Sequence, residues 1–411
     1  MLNKVYENMT IYFFLSVFFL VASGLLAFFL IPVLRSIVYL TVFTTFYYGI
    51  LGSLYWFYYN NSLFLGVYWG SDIFIASFLF TLFVFIFLSS FTFVSFYLNR
   101  QVSYKPQKEV LIPKSFWIVA IISIVSCMFV YVDRDGRGSF FLIAYQFSDM
   151  LIPIILILFA VGRNKLAALF LSLFFFYCVF VGFRYKLVIV IFPLFSYWFL
   201  FGQFKRKILL ATVVPTFILS LFTLMTLYRV KFGGINIGSD KEINFESILY
   251  GFFADSNILF GVISVRDYVI RGEYYAGLTP LYEMFIDLVP RALMPEKDVG
   301  QHLNLVLEGL IVKEAMTSGT TYPFFGEYMM MGGYPAAILG SILLGVLVAY
   351  FCSLILNFHS KKLTVMGVAL AAVLFGYYYM SRGYLPQFFK AIVFILIPYL
   401  YYCKKMVSKN V

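Results

Sequence analysis

Long unbroken runs of apolar residues dominate the chain. They recur at about 10–34, 37–58, 72–98, 115–132, 139–161, 165–183, 186–202 and 208–228, and again at about 325–356, 364–381 and 386–403. None alternates apolar with polar positions, so half-buried strands are excluded, and each run comes close to or exceeds the roughly 20 residues a helix needs to cross a hydrocarbon core of about 30 Å. A spanning segment must satisfy its own backbone, which leaves helices. The pattern predicts an all-α polytopic membrane protein with about 11 transmembrane helices. The first run, from Met9 to about Leu34, is longer than the apolar part of a secretory signal and is followed by further spans, so it reads as a retained helix.

One long stretch breaks the pattern. Residues 229–323 lack a spanning run and divide the chain into an N-terminal transmembrane bundle of about eight helices (1–228), a loop (229–323) and a C-terminal part of about three helices (324–411). Within the loop, Thr279-Pro280 predicts a helix start with Thr279 as N-cap, and Pro290 closes that helix. Asp298 with Gln301 predicts a second start, before Leu303, Val306, Leu307 and Leu310 on one face. Phe245, Leu249, Phe252 and Phe253 form an apolar stripe beside charges. Short amphipathic helices lying against the end of the bundle are expected. In the span that follows, Gly332-Gly333 and Pro335 mark a break.

Composition and charge refine this picture. The chain is 63% hydrophobic and 12% charged, with mean hydropathy +0.93, against about 25% charged residues in soluble domains. The formal net charge is +11, yet the loop holds 12 of the 19 carboxylates against 8 cations. The remaining cations cluster in alternate short loops: Arg35; Arg100, Lys105, Lys108 and Lys114; Arg163 and Lys165; Lys205 to Lys207; Lys361 and Lys362; Lys404, Lys405 and Lys409. By the positive-inside rule that side is cytoplasmic and includes the C-terminus, while 229–323 is extracytoplasmic. The basic balance is thus a topology signal, with no nucleic acid implied. Cys127, Cys178, Cys352 and Cys403 lie in or beside apolar runs without metal or disulfide spacing and read as packing residues.

A few cations oppose the topology signal. Arg184 and Lys186, in Gly182-Phe183-Arg184-Tyr185-Lys186, and Arg382, in Ser381-Arg382-Gly383-Tyr384, fall at the other ends of spans, and Lys390 lies about a turn inside the last one. Such charges require compensation. Pairing with Asp149 or Glu327, or snorkelling to headgroups, would supply it; so would an anionic ligand, for which the guanidinium fork suits phosphate. Arg291, bracketed by Pro290 and Pro295, is either a solvated loop residue or a rigidly presented ligand. Arg266 followed by Gly277 is a spacing that chance supplies readily. His302 in the loop and Glu327 at the start of a span are the candidate bases, each with a structural alternative. His359 sits beside Lys361 and Lys362 and reads as solvated. No nucleotide or metal motif is present in the sequence.

The segments Val289-Pro290-Arg291, Pro295-Glu296-Lys297, Thr320-Thr321-Tyr322 and Phe325-Gly326-Glu327-Tyr328, followed by Gly332-Gly333 and a Gly-rich span, resemble the Wzy-type O-antigen and oligosaccharide repeat-unit polymerases. The Gly182 to Arg184 span end is similar to one shared with the O-antigen ligases. The resemblance implies a fold like that of the lipid-phosphate-dependent GT-C-like glycosyltransferases, metal-independent and without cofactor. It implies donor and acceptor both linked to undecaprenyl diphosphate, a bacterial plasma (inner) membrane, and a chain-length regulator and lipid-linked-sugar flippase as partners. Glu327 or His302 would be catalytic; Arg184, Lys186, Arg266, Arg291, Lys297, Tyr322 and Arg382 would bind diphosphate or substrate. A flippase or exporter of lipid-linked oligosaccharide, an O-antigen ligase and an assembly protein are the alternatives.

Overall fold

A computed structural model of the protein describes residues 2–58, 63–64, 67–68, 70–98, 112–132, 139–181, 184–201, 249, 253, 258–270, 272, 275–289, 293–294, 296, 322–358, 360–381 and 383–408. Helices form where the apolar runs lie. The first part of the chain holds α1 (Leu2–Leu25), α2 (Arg35–Thr45), α3 (Gly52–Tyr58), α4 (Asp72–Leu98), α5 (Lys114–Val132), α6 (Ser139–Asp149), α7 (Leu151–Ala160), α8 (Asn164–Val181) and α9 (Arg184–Phe201). A small antiparallel hairpin pairs Leu63–Phe64 with Val67–Tyr68. Then come α10 (Ile258–Ile270), α11 (Thr279–Ile286), α12 (Phe325–Leu356), α13 (Lys361–Val373), α14 (Leu385–Ala391) and α15 (Ile397–Ser408). Among the described residues, three wide turns of π type, at Phe46–Leu51, Leu374–Tyr378 and Ile392–Leu396, interrupt otherwise continuous helices.

Among the described residues, six stretches are long and apolar enough to cross a membrane: Met9–Phe29, Arg35–Tyr58, Asp72–Leu98, Phe325–Leu356, Lys361–Ser381 and Leu385–Met406. Shorter apolar helices occupy Lys114–Val130, Ala144–Ala160, Asn164–Val179 and Tyr185–Phe199. Among the described residues the chain is all-α apart from the hairpin, as a helical membrane protein is. The expected span at 208–228 lies outside the described residues, as do most of the loop and the helix expected after Asp298.

Lys361–Ser381 is the axis of the bundle, 94% buried, whereas the Met9–Phe29 stretch is only 17% buried and turns most of its surface outward. Against this axis pack α2, α9 and α12, and α4 packs in turn on α1 and α12. The contact between α4 and α12 is close because Gly345 supplies no side chain. A Cβ there would lie 2.6 Å from the Phe87 carbonyl oxygen and 2.8 Å from the Phe91 nitrogen. Beside it the Ser90 hydroxyl donates to the Ile342 carbonyl at 2.9 Å. Small residues at a crossing let backbones approach where lipid offers no hydrophobic drive to association.

The break expected at Gly332-Gly333 is present and sharp. Gly333 takes φ 68°, ψ −156°, a backbone region that only glycine enters readily. Beyond the break the short segment Phe325–Met331 folds back along the rest of α12. Tyr328 and Gly340 would be about 18 Å apart in a straight helix, yet the Tyr328 ring covers Gly340. Phe325 stacks on Phe83 at 4.5 Å, and Phe83 lies near the middle of the 27-residue α4. The segment is therefore a half-helix dipping into the bundle. Its Met330 carbonyl, just before the break, accepts from the Ala276 amide at 2.8 Å.

One expectation about the loop is refined and one is corrected. α10 packs on α4 and α12 with Ile258, Leu259, Phe260, Val262, Ile263 and Val265 all buried, so it is covered on more than one face, and its Arg266 meets Asp72 at the start of α4. Thr279 is the first residue of α11 rather than its cap, which is Leu278, with no side-chain cap bond.

Gly345→Ala is expected to lower stability by about 1–3 kcal/mol through forced separation of α4 and α12. Gly24→Ala, where a Cβ meets nothing within 4 Å, is expected to leave it unchanged. Thermal unfolding of the purified variants in detergent checks both.

Candidate functional site

The half-helix brings Glu327 into the bundle with no exposed surface. A carboxylate there needs donors. The backbone amide of Leu385, first residue of α14, donates to Oε2 at 2.6 Å, and the Tyr322 hydroxyl reaches Oε1 at 3.4 Å. The first amides of a helix have no partner within it, so a carboxylate at that terminus satisfies one of them and meets the positive end of the helix dipole. The two chain segments are locked together from the other side as well. Gly383 donates its amide to the Tyr322 carbonyl at 2.9 Å. A Cβ on Gly383 would overlap the Pro323 carbonyl and lie 2.5 Å from the Phe324 nitrogen, so the crossing demands glycine.

Around this junction stands a cage of aromatic and acidic side chains. Tyr379 donates to the Tyr328 hydroxyl at 3.1 Å and stacks on Phe388 at 3.9 Å. From α11 come Glu283, 2% exposed, and Asp287, 9% exposed, so both carboxylates of this helix face the bundle. Lys390 on α14 pairs with Asp287 at 2.5 Å. Burial pushes the Tyr322 phenol well up, and the charges of Glu327 and Glu283 add to the shift. Burial also raises Tyr384, followed by Asp287, Glu283 and Glu327. Both phenols therefore stay protonated at neutral pH, and Tyr322 donates to Glu327. Among the described residues, no group of three His, Cys, Asp or Glu is arranged to hold a metal ion.

Lys186 lies in a separate polar cluster. Its Nζ pairs with Asp149 Oδ1 at 2.6 Å, is 1% exposed, and sits 3.6 Å from the centre of the Tyr145 ring. Tyr145 shares a hydrogen bond with Tyr185, and Ser148 with Tyr177 at 2.9 Å. Tyr185 in turn stacks on Tyr378 at 5.1 Å. The start of α9 is thus pinned against the wide turn that precedes Ser381, next to the Glu327 junction. Compensation for Lys186 comes from Asp149, the structural alternative open at the sequence level.

Arg266 is likewise engaged. Its guanidinium contacts Asp267 at 2.7 Å and Asp72 at 3.2 Å, joining α10 to the start of α4. Burial opposes the charge, but the hydrogen bond and charge of Asp267, with Asp72, outweigh it and raise the Arg266 pKa. Arg184 opens α9, its side chain outside the description. Arg291, Lys297, His302 and Arg382 lie outside the described residues. On the far side of Phe83 an apolar groove of about 340 Å³ runs between α1, α4 and α12, lined by Tyr12, Phe78, Leu82 and Ile338. Sequence reasoning missed Glu283, Asp287, Tyr328, Tyr379 and Tyr384. The four-residue spacing of Glu283 and Asp287 and the tyrosines clustered from Tyr377 to Tyr384 were the available signals.

Replacing one partner of the buried pair, as Lys186→Met or Asp149→Leu, is expected to cost about 3–5 kcal/mol, because it strands the other charge. Combining the two is expected to recover most of the loss, as read by thermal unfolding of all three variants. Comparison with family models, with curated proteins and with solved structures finds no match for the chain.

Proposed function

We propose that the protein polymerises undecaprenyl-diphosphate-linked oligosaccharide repeat units at the outer face of a bacterial plasma membrane, with the C-terminus cytoplasmic and residues 229–323 extracytoplasmic. The observation that carries this reading is Glu327, a wholly buried carboxylate held by the Leu385 amide and Tyr322 where two broken membrane helices cross. A membrane helix is interrupted at such expense where it lines a polar site.

In this reading a hydroxyl of the acceptor unit attacks the anomeric carbon of the donor glycan. Its proton passes to the Glu327 carboxylate, the new glycosidic bond forms, and the bond to the diphosphate breaks with its electron pair leaving on the phosphate oxygen. Charge grows on that oxygen in the transition state, so a preorganised cation stabilises the transition state more than the ground state. Arg184, Arg291 and Arg382 are assigned to this task, with Lys297 beside them. Lys186 and Arg266 act at one remove, through Asp149 and through Asp72 with Asp267, by fixing the helices that present the site. Tyr322 orients the base. The groove behind Phe83 is apolar, as a lipid-linked substrate requires. This assigns the chain to the metal-independent GT-C-like glycosyltransferases with about 11 spans.

Reconstitution with purified lipid-linked repeat units is the test. The wild-type protein is expected to lengthen the glycan, and Glu327→Gln to slow lengthening by about 10²–10⁴-fold. Transbilayer movement of the substrate without lengthening would make the protein a flippase and sink the polymerase reading. In cells, Arg184→Ala and Arg382→Ala are expected to abolish long chains while protein level and single-repeat product persist. Normal long chains in both would remove the diphosphate assignment.

A further inference from the structure

α11 is amphipathic with an unusual sense. Its carboxylates, Glu283 and Asp287, face the bundle, whereas Leu278, Tyr282 and Phe285 are 73%, 64% and 59% exposed. Leu281 and Val289 continue this outward apolar face. A helix lying on the end of a bundle in water would show the opposite arrangement, apolar side inward and charge outward.

Depth explains the inversion. Phe285 meets Phe389 edge-on at 5.4 Å, and Asp287 pairs with Lys390. Both partners lie inside the candidate span Leu385–Met406, four and five residues from its first residue, or about 7 Å below its end at 1.5 Å per residue. Helices that lie in a membrane interface bury their apolar face by about 5–10 Å. The outward row on α11 runs on, through the contact between Phe285 and Phe389, to the flank of this candidate span.

We infer that α11 is embedded in the hydrocarbon layer with its Leu278–Leu281–Tyr282–Phe285 face on the acyl chains of the bilayer, as a side wall between the Glu327 junction and lipid. Its carboxylate face is then turned toward that junction, where Glu283 and Asp287 add charge beside Tyr322 and Tyr384. The placement holds whether or not the chain is a polymerase.

The full-length protein carrying a single added cysteine at Leu281, Tyr282 or Phe285, labelled with a small environment-sensitive fluorophore, reads the placement directly. The native Cys127, Cys178, Cys352 and Cys403 are all buried, which favours labelling of the added thiol. Phe14, 64% exposed on the outward face of α1, supplies the lipid reference, and the exposed Glu296 the aqueous one. In nanodiscs of phosphatidylcholine with brominated acyl chains, labels on α11 are expected to lose fluorescence as the Phe14 label does, and to resist aqueous iodide. Behaviour like the Glu296 label would overturn the inference in favour of an aqueous lid. Protection from both quenchers would overturn it in favour of a second protein copy covering the face. Leu281 supplies the readout if Phe285→Cys, which removes the ring contact to Phe389, fails to fold.

Discussion

A buried carboxylate cannot be left without donors in an apolar bundle, and the arrangement of the C-terminal third of the chain follows from that constraint. Glu327 takes the amide that begins α14, and the chain on either side of it is stitched to the same place through Tyr322 and Gly383. Satisfying it requires two interruptions at one level: a half-helix folded back at Gly333, and a helix that stops at Ser381 and restarts at Leu385. Neither interruption is tolerable alone, because each exposes backbone groups that the other, or Ala276, must meet.

The surrounding helices converge on this crossing by aromatic and ionic contacts rather than by shape alone. Phe83 and Phe87 of α4 support Phe325 and Phe324 from one side. Tyr185 of α9 reaches Tyr378 from another, itself fixed by the Lys186–Asp149 pair behind it. α11 closes a third side with carboxylates inward. The result is a buried polar junction at Glu327, surrounded by tyrosines.

Much of this architecture is legible in the sequence because a membrane reduces the problem to run lengths. Continuous apolar stretches identify the helices, and Gly332-Gly333-Pro335 identifies the break, since no other local composition explains two glycines and a proline within a span. Glu327 is legible for the same reason, as a carboxylate with no apolar excuse. The partner of Lys186 is harder to see. Asp149 lies 37 residues earlier, and only the approach of the end of α6 to the start of α9 decides between pairing and ligand binding. Nor does the periodicity of α11 reveal which face looks inward; an amphipathic pattern fixes two faces without saying which solvent each meets. The fold-back of Tyr328 onto Gly340 depends on backbone angles at Gly333 that composition permits but does not require.

The wide turns have a consequence for how the site is hung. Each inserts one extra residue into the helical repeat, which rotates everything beyond it by about 100° about the helix axis. The turn at Leu374–Tyr378 sets the heading of the tyrosines that follow, so that Tyr378 meets the ring of Tyr185 and Tyr379 the hydroxyl of Tyr328. A helical wheel drawn from Lys361 therefore assigns the wrong face to everything from Tyr379 onward. Loss of a single residue from this turn, with every contact-making side chain retained, would swing the Leu385 amide a quarter-turn away from Glu327. The length of the turn, and not only its composition, is part of the site.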